Sequence, residues 1–96
     1  MYKDLDPLLH SQLRLAIIST LIANDEADFN YIKEITNATS GNISIQIKKL
    51  QEAGYIEVIK SFKNNYQNTS LKITKKGIKA FEEYVESLKQ YIKSPE

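Results

Sequence analysis

A chain of 96 residues with 13 lysines and arginines, 12 aspartates and glutamates and no cysteine is one domain, large enough for a small three-helix core and small enough that pairing with a second copy would add to its stability. Without cysteine there is no disulfide scaffold, thiolate zinc site or cysteine nucleophile, and the lone histidine, His10, cannot assemble a metal site by itself. Residues 1–6 are polar and the first apolar run, around Leu13 to Ala23, is broken by Arg14, Ser19 and Thr20, so neither signal peptide nor membrane span is expected and a soluble, cytoplasmic protein follows.

In chain order, the first helix is expected over about residues 11–22, after the Asp6-Pro7 start signal and before the polar Asn24-Asp25-Glu26 turn. Leu13, Ala16, Ile17 and Leu21 form one apolar stripe, and Leu15, Ile18 and Ile22 form another, which exceeds what a small core needs and is assigned to subunit contact. A second helix is expected over residues 29–36, capped by Asp28, with Phe29, Ile32 and Ile35 inward and a short turn at Asn37-Ala38-Thr39.

The third helix has the clearest signals. Thr39 or Ser40 can cap its start, Gly54 can take the left-handed conformation that stops it, and Ile43, Ile47 and Leu50 recur at i, i+4 and i+7 as a buried stripe. Ser44, Ile45, Lys48, Lys49 and Glu52 then face outward. Short polar groups near the start of such a helix can reach base edges in a major groove, and lysines further along can meet phosphates.

Residues 55–62 are rich in β-branched and aromatic side chains and residues 70–74 alternate through Leu71 and Ile73, so the two make a hairpin. Its connection, residues 63–69, is polar with turn-forming asparagines and is expected to be an exposed, mobile tip. Thr74 caps a last helix reaching about Ile92, in which Ile78, Phe81, Val85, Leu88 and Ile92 recur at spacings of three and four and Tyr84 and Tyr91 widen the stripe. The expected architecture is mainly α with a small β-hairpin: a winged helix-turn-helix with an extended C-terminal helix. It is a single domain, 1–96, with a core at about 11–73 and a dimerisation helix at about 74–94.

The net charge of +1 conceals a segregation along the chain. Residues 1–38 balance at −3, residues 39–79 carry eight lysines against Glu52 and Glu57 for +6, and residues 80–96 return to −2. Distribution rather than total makes an electrostatic footprint for phosphates. There is no glycine-rich phosphate loop and no nucleophile with a base at recognisable spacing, so no enzyme is expected.

Several segments resemble the winged-helix transcriptional regulators grouped as MarR-like and ArsR-like. Leu9-His-Ser-Gln-Leu-Arg-Leu-Ala-Ile-Ile resembles the opening helix of small stand-alone regulators of that group, Ala27-Asp-Phe-Asn-Tyr-Ile-Lys their second helix, Leu50-Gln-Glu-Ala-Gly-Tyr-Ile-Glu the exit from their recognition helix, and Leu71-Lys-Ile-Thr-Lys-Lys-Gly the junction after their wing. The resemblance implies a homodimer that binds double-stranded, pseudo-palindromic DNA and regulates transcription. It places Thr39, Ser40, Gly41, Asn42, Ser44, Ile45, Gln46, Lys48 and Lys49 on the recognition-helix surface, and Lys63, Asn64, Asn65, Tyr66 and Gln67 on the wing. Relatives often hold a polar or basic residue where this chain has Ile45, though isoleucine can contact a thymine methyl. The wing also lacks arginine, leaving Lys63 or Tyr66 for the minor groove.

The expected dimer interface comprises Leu15, Ile18, Ile22, Ile78, Phe81, Tyr84, Val85, Leu88, Tyr91 and Ile92. Other readings stand beside these. The lysines also fit an ordinary solvated face, the last helix also fits packing onto its own domain, and Tyr84 and Tyr91 fit either rims of a core or a ligand pocket. His10 fits, in order, a surface residue, a partner across the dimer and a metal ligand. No cofactor or metal is expected. Two functional alternatives are a winged-helix module that binds protein rather than DNA, and a one-component sensor with an unidentified small molecule at the dimer interface.

Overall fold

The computed structural model describes residues 2–92, apart from the side chain of Lys63, and residues 93–94 of the expected last helix lie outside it. The order is α1 (Gln12–Asn24), β1 (Glu26–Asp28), α2 (Phe29–Thr36), α3 (Ser40–Glu52), β2 (Ile56–Lys63), β3 (Tyr66–Ile73) and α4 (Lys75–Ile92). The strands form one antiparallel sheet in the order β1-β3-β2. This is the winged-helix arrangement that the caps and periodicities anticipate, and no helix among the described residues is long and apolar enough to cross a membrane.

Helix α1 lies at the centre and touches α2, α3, α4 and the sheet. That position corrects the expected division of its two faces, since Ile17, Ile18 and Leu21 are all buried in the core of the single chain. Ile18, expected at a subunit contact, is 0% exposed. A helix covered on several sides needs apolar residues around most of its circumference, and a second stripe is then no sign of a partner.

β1 is an element the sequence does not announce, because three residues with a single inward alanine carry too little alternation to register as a strand. It pairs Ala27 with Leu71 and so closes the sheet over the core. Helix α2 follows directly. Ile32 is buried and Phe29 half-buried as expected, but Ile35 is 46% exposed, on the rim of a shallow hollow shared with Leu13, Ala16 and Asn42. Asp28 stands at the N-cap position by backbone geometry, yet its carboxylate turns to the sheet and accepts from Ser70 Oγ at 3.0 Å and Asn68 Nδ2 at 3.2 Å.

Thr39 caps α3 by accepting from the Asn42 N–H at 3.1 Å, and Ile43, Ile47 and Leu50 are buried. At the other end Gly54, at φ 81°, donates to Gln51 O at 2.9 Å while Tyr55 donates to Leu50 O at 3.0 Å. These two bonds form a Schellman stop, which requires the left-handed residue that glycine supplies. The chain turns directly into β2.

The hairpin is longer and tighter than expected. Asn64 and Asn65 have φ of 52° and 68°, the double left-handed pair of a two-residue turn whose twist matches the strands on either side. Pairing therefore continues to Lys63↔Tyr66 at the tip, and Tyr66 and Gln67 belong to β3 rather than to a mobile loop. At its base Thr74 donates its hydroxyl to Gly54 O at 2.6 Å and accepts from the Gly77 N–H at 3.0 Å, joining the end of α3 to the start of α4.

Helix α4 turns Gly77, Tyr84 and Ser87 inward. Tyr84 is 5% exposed and sits in the core, with its hydroxyl 3.1 Å from His10 Nδ1. It is thus removed from the expected dimer surface, and His10 has its partner within its own chain. Phe81 and Leu88 also pack against this core, whereas Ile78 is 37% and Ile92 72% exposed.

Candidate nucleic-acid interface

Because Ile43, Ile47 and Leu50 hold α3 to the core, the opposite face is fixed outward. Thr39, Ser40, Gly41, Asn42, Ser44, Ile45, Lys48 and Lys49 are exposed there, Ile45 at 55%. The Thr39 cap satisfies one N–H of the first turn, while those of Ser40 and Gly41 have no intrahelical acceptor by the geometry of any helix start. The positive end of the helix dipole lies at the same place, so the tip of α3 favours an anionic group such as a phosphate.

Gln46 departs from its expected role. It is half-buried, its Oε1 accepts from Arg14 Nη1 of α1 at 2.5 Å, and its Nε2 donates to Asn42 Oδ1 at 2.9 Å. Arg14 is itself held by donation from Nε to Leu8 O at 2.6 Å. Both ends of the Gln46 amide thereby have a partner within the chain. Sequence reasoning misses Arg14, because nothing local marks an arginine of one helix as the partner of a glutamine 32 residues later.

Between α3 and the hairpin runs an open groove of about 800 Å³, lined by Phe29, Ser44, Ile47, Lys48, Gln51, Val58, Lys60 and Thr69. Lys48 from the helix and Lys60 from β2 line the same groove, as do the hydroxyl-bearing Ser44 and Thr69. Two ammonium groups and two hydroxyls along a trough suit a polyanionic backbone, since lysines supply point charge and hydroxyls supply donors. Lys72 does not add to this footprint. It lies in register between Glu26 on β1 and Glu57 on β2, and the two carboxylates on the same face of the sheet offset its charge.

At the hairpin tip Asn64, Asn65, Tyr66 and Gln67 are all exposed, as expected for the wing, and the Lys63 side chain is outside the described part of the chain. Tyr66 is 77% and Phe62 78% exposed, and their register positions place them on opposite faces of the hairpin. Phe62 falls outside the wing expected from sequence. The Asn64-Asn65 dipeptide carries the signal that would include it, since reading it as a two-residue turn sets Phe62 opposite Gln67 at the tip.

The remaining expected contact residues lie on α1 and α4. Ile22, Ile78, Tyr91 and Ile92 are exposed, while Leu15, Phe81 and Leu88 are half-buried against the chain's own core and Val85 is half-buried. Tyr91 stacks on Tyr2 at 4.7 Å between ring centroids and donates its hydroxyl to Lys3 O at 2.9 Å, so the N-terminal segment lies along the end of α4.

An outward helix start, a helix tied to a three-stranded sheet and an exposed two-stranded wing are the parts of a winged helix-turn-helix. This chain belongs to the winged helix DNA-binding domain family, whose model matches residues 13–92. It is 37% identical over 89 residues to an uncharacterized protein of Methanocaldococcus jannaschii, covering 93% of this chain and 97% of that protein. Among solved structures, a transcriptional regulator homologue from Pyrococcus horikoshii superposes with a TM-score of 0.83 at 27% identity, over 88% of this chain and 84% of the other. MarR of E. coli in complex with operator DNA shares the fold, with a TM-score of 0.74 at 15% identity over 90% of this chain and 61% of its own length. The fold is that of the MarR-like regulators.

Proposed function

We propose that this chain is a sequence-specific regulator of transcription that binds double-stranded DNA as a homodimer. The α3 of each protomer enters a major groove and the hairpin grips flanking DNA. One observation carries the reading: Lys48 of α3 and Lys60 of β2 line one groove beside the exposed face of α3. Membership of a DNA-binding family and the fold shared with an operator-bound regulator support it. A two-fold pair of such helices spans one helical turn of DNA, roughly 34 Å.

The homodimer is supported by α4. Ile78, Val85 and Ile92 repeat at seven residues on a side of the helix distinct from Tyr84 and Ser87, which face the core. A seven-residue apolar repeat that its own chain covers only in part is the pattern of a helix that pairs with a copy of itself.

Fluorescence-anisotropy titration of a labelled mixed-sequence duplex across a salt series tests the proposal. Binding should weaken steeply as salt rises, by the release of counterions from each phosphate contacted. Absence of binding at low salt would instead favour a protein-binding module, a reading to which the exposed Ile45, Phe62 and Tyr66 would then belong.

A further inference from the structure

We infer that Asn42 is the specificity-determining residue of α3, and that it presents only hydrogen-bond donors to DNA and therefore selects guanine. The inference rests on the major-groove role of α3 proposed above.

Its warrant is a chain of three side chains whose polarity is set at one end. The two ends of an amide side chain are nearly identical in shape, so its orientation follows from its neighbours. Arginine can only donate. With Arg14 Nη1 at 2.5 Å, the atom of Gln46 that faces it has to be the oxygen. The Gln46 nitrogen is then turned to Asn42, 2.9 Å away, and an N–H needs an acceptor, so Asn42 directs its oxygen inward. The Asn42 NH₂ is what remains for an exposed residue in the first turn of α3.

That polarity decides which base edge is compatible. Asparagine selects adenine by donating to N7 and accepting from N6, which requires a free side-chain oxygen. In this chain that oxygen is directed to Gln46, and the NH₂ is the end turned away from it. Guanine offers two adjacent major-groove acceptors, N7 and O6, to an NH₂ that can only donate, thymine offers one, O4, beside its methyl group, and adenine and cytosine each present an amino group that would face it unfavourably. Arg14 and Gln46 are positioning residues here. They act through Asn42 and touch no base.

The sharp test is Gln46→Glu, which keeps the length of the side chain and the pairing with Arg14 but replaces the inward donor with an acceptor. Asn42 would then turn its NH₂ inward and its oxygen outward, exchanging guanine for a base that donates, cytosine or adenine. Duplexes with a randomised site are selected on the full-length wild type and on the variant, and the bound pools are sequenced. Guanine is expected at one position of each half-site for wild type, with a preference of roughly 5- to 150-fold, the range of a good base contact. Asn42→Ala should erase the preference at that position and no other, and Gln46→Glu should move it to cytosine or adenine. Circular dichroism and mixed-duplex binding of each variant establish that it is folded and that it still docks. Adenine at that position for wild type, or a guanine preference unchanged by Gln46→Glu, would overturn the inference while leaving the regulator intact. Failure of wild type to bind any duplex would instead sink the function on which it rests.

Discussion

Gly77 packs so closely against Tyr55 that a side-chain carbon added to the glycine would overlap the Tyr55 carbonyl oxygen. This approach brings the first turn of α4 onto the corner where α3 passes into β2, beside the Thr74 clamp. The obstruction is backbone, which cannot rotate aside as a side chain does. Gly77→Ala should therefore lower stability by about 2 kcal/mol or more, the upper part of the range for forced overpacking. Urea denaturation followed by circular dichroism measures this, and a midpoint equal to wild type would show that the corner can open without cost.

Tyr55 also ties the N-terminal segment to this corner by donating to Asp6 Oδ2 at 2.5 Å. Burial, followed by the hydrogen bond to Asp6 and the charges of Asp6 and Glu83, pushes the phenol up to about 12 from its usual 10.0. The protonated phenol is thus favoured by folding. Its contribution is complete below pH 10, where the unfolded phenol is also protonated, and is lost as the pH rises from 10 towards 12. Wild type should therefore lose more stability across that interval than Tyr55→Phe does. Parallel slopes in the two proteins would exclude the linkage.

Gly41 lies in the first turn of α3, where an added Cβ would meet nothing within 4 Å of the chain itself. Gly41→Ala should raise helix stability by about 0.5–1 kcal/mol, since alanine loses less backbone entropy on folding. A methyl at that place also obstructs a phosphate approaching the free N–H groups of the helix start. The expected result is a higher melting temperature with weaker DNA binding. A gain in both would place the phosphate elsewhere.

Lys48 and Lys60 line one groove from two elements. Replacing either by alanine should weaken binding to all sequences alike and reduce the slope of log affinity against log salt by about 0.9 for each phosphate no longer neutralised. An unaltered slope in both variants would remove the groove from the DNA path.

The exposed positions on α4 give a test of assembly. Ile78→Glu combined with Ile92→Glu introduces charge where the side chains are 37% and 72% exposed in the single chain, so folding should be retained. Analytical ultracentrifugation is expected to show a dimer for wild type and a monomer for the double variant. A dimer that survives the substitutions would be held by other surfaces.

Much of this fold is legible in the sequence because its signals are local. The Thr39 cap, the Gly54 stop, the Thr74 cap and the stripe of Ile43, Ile47 and Leu50 each depend on residues within a few positions of one another, and the structure forms the elements they mark. The outward face of α3 follows, since burying one stripe exposes the other.

Tertiary structure alone decided what covers each apolar face and which polar groups remain available. Periodicity reports that Ile18 and Tyr84 lie on apolar stripes, and says nothing of whether the cover is a neighbouring subunit or, as the structure has it, the chain's own core. Gln46 likewise is placed on the recognition-helix surface by family resemblance, yet Arg14 reaches it across the helix-helix packing. Local sequence sets conformation because backbone caps and side-chain periods act over one or two turns. The partner of a side chain is set by what the folded chain brings beside it.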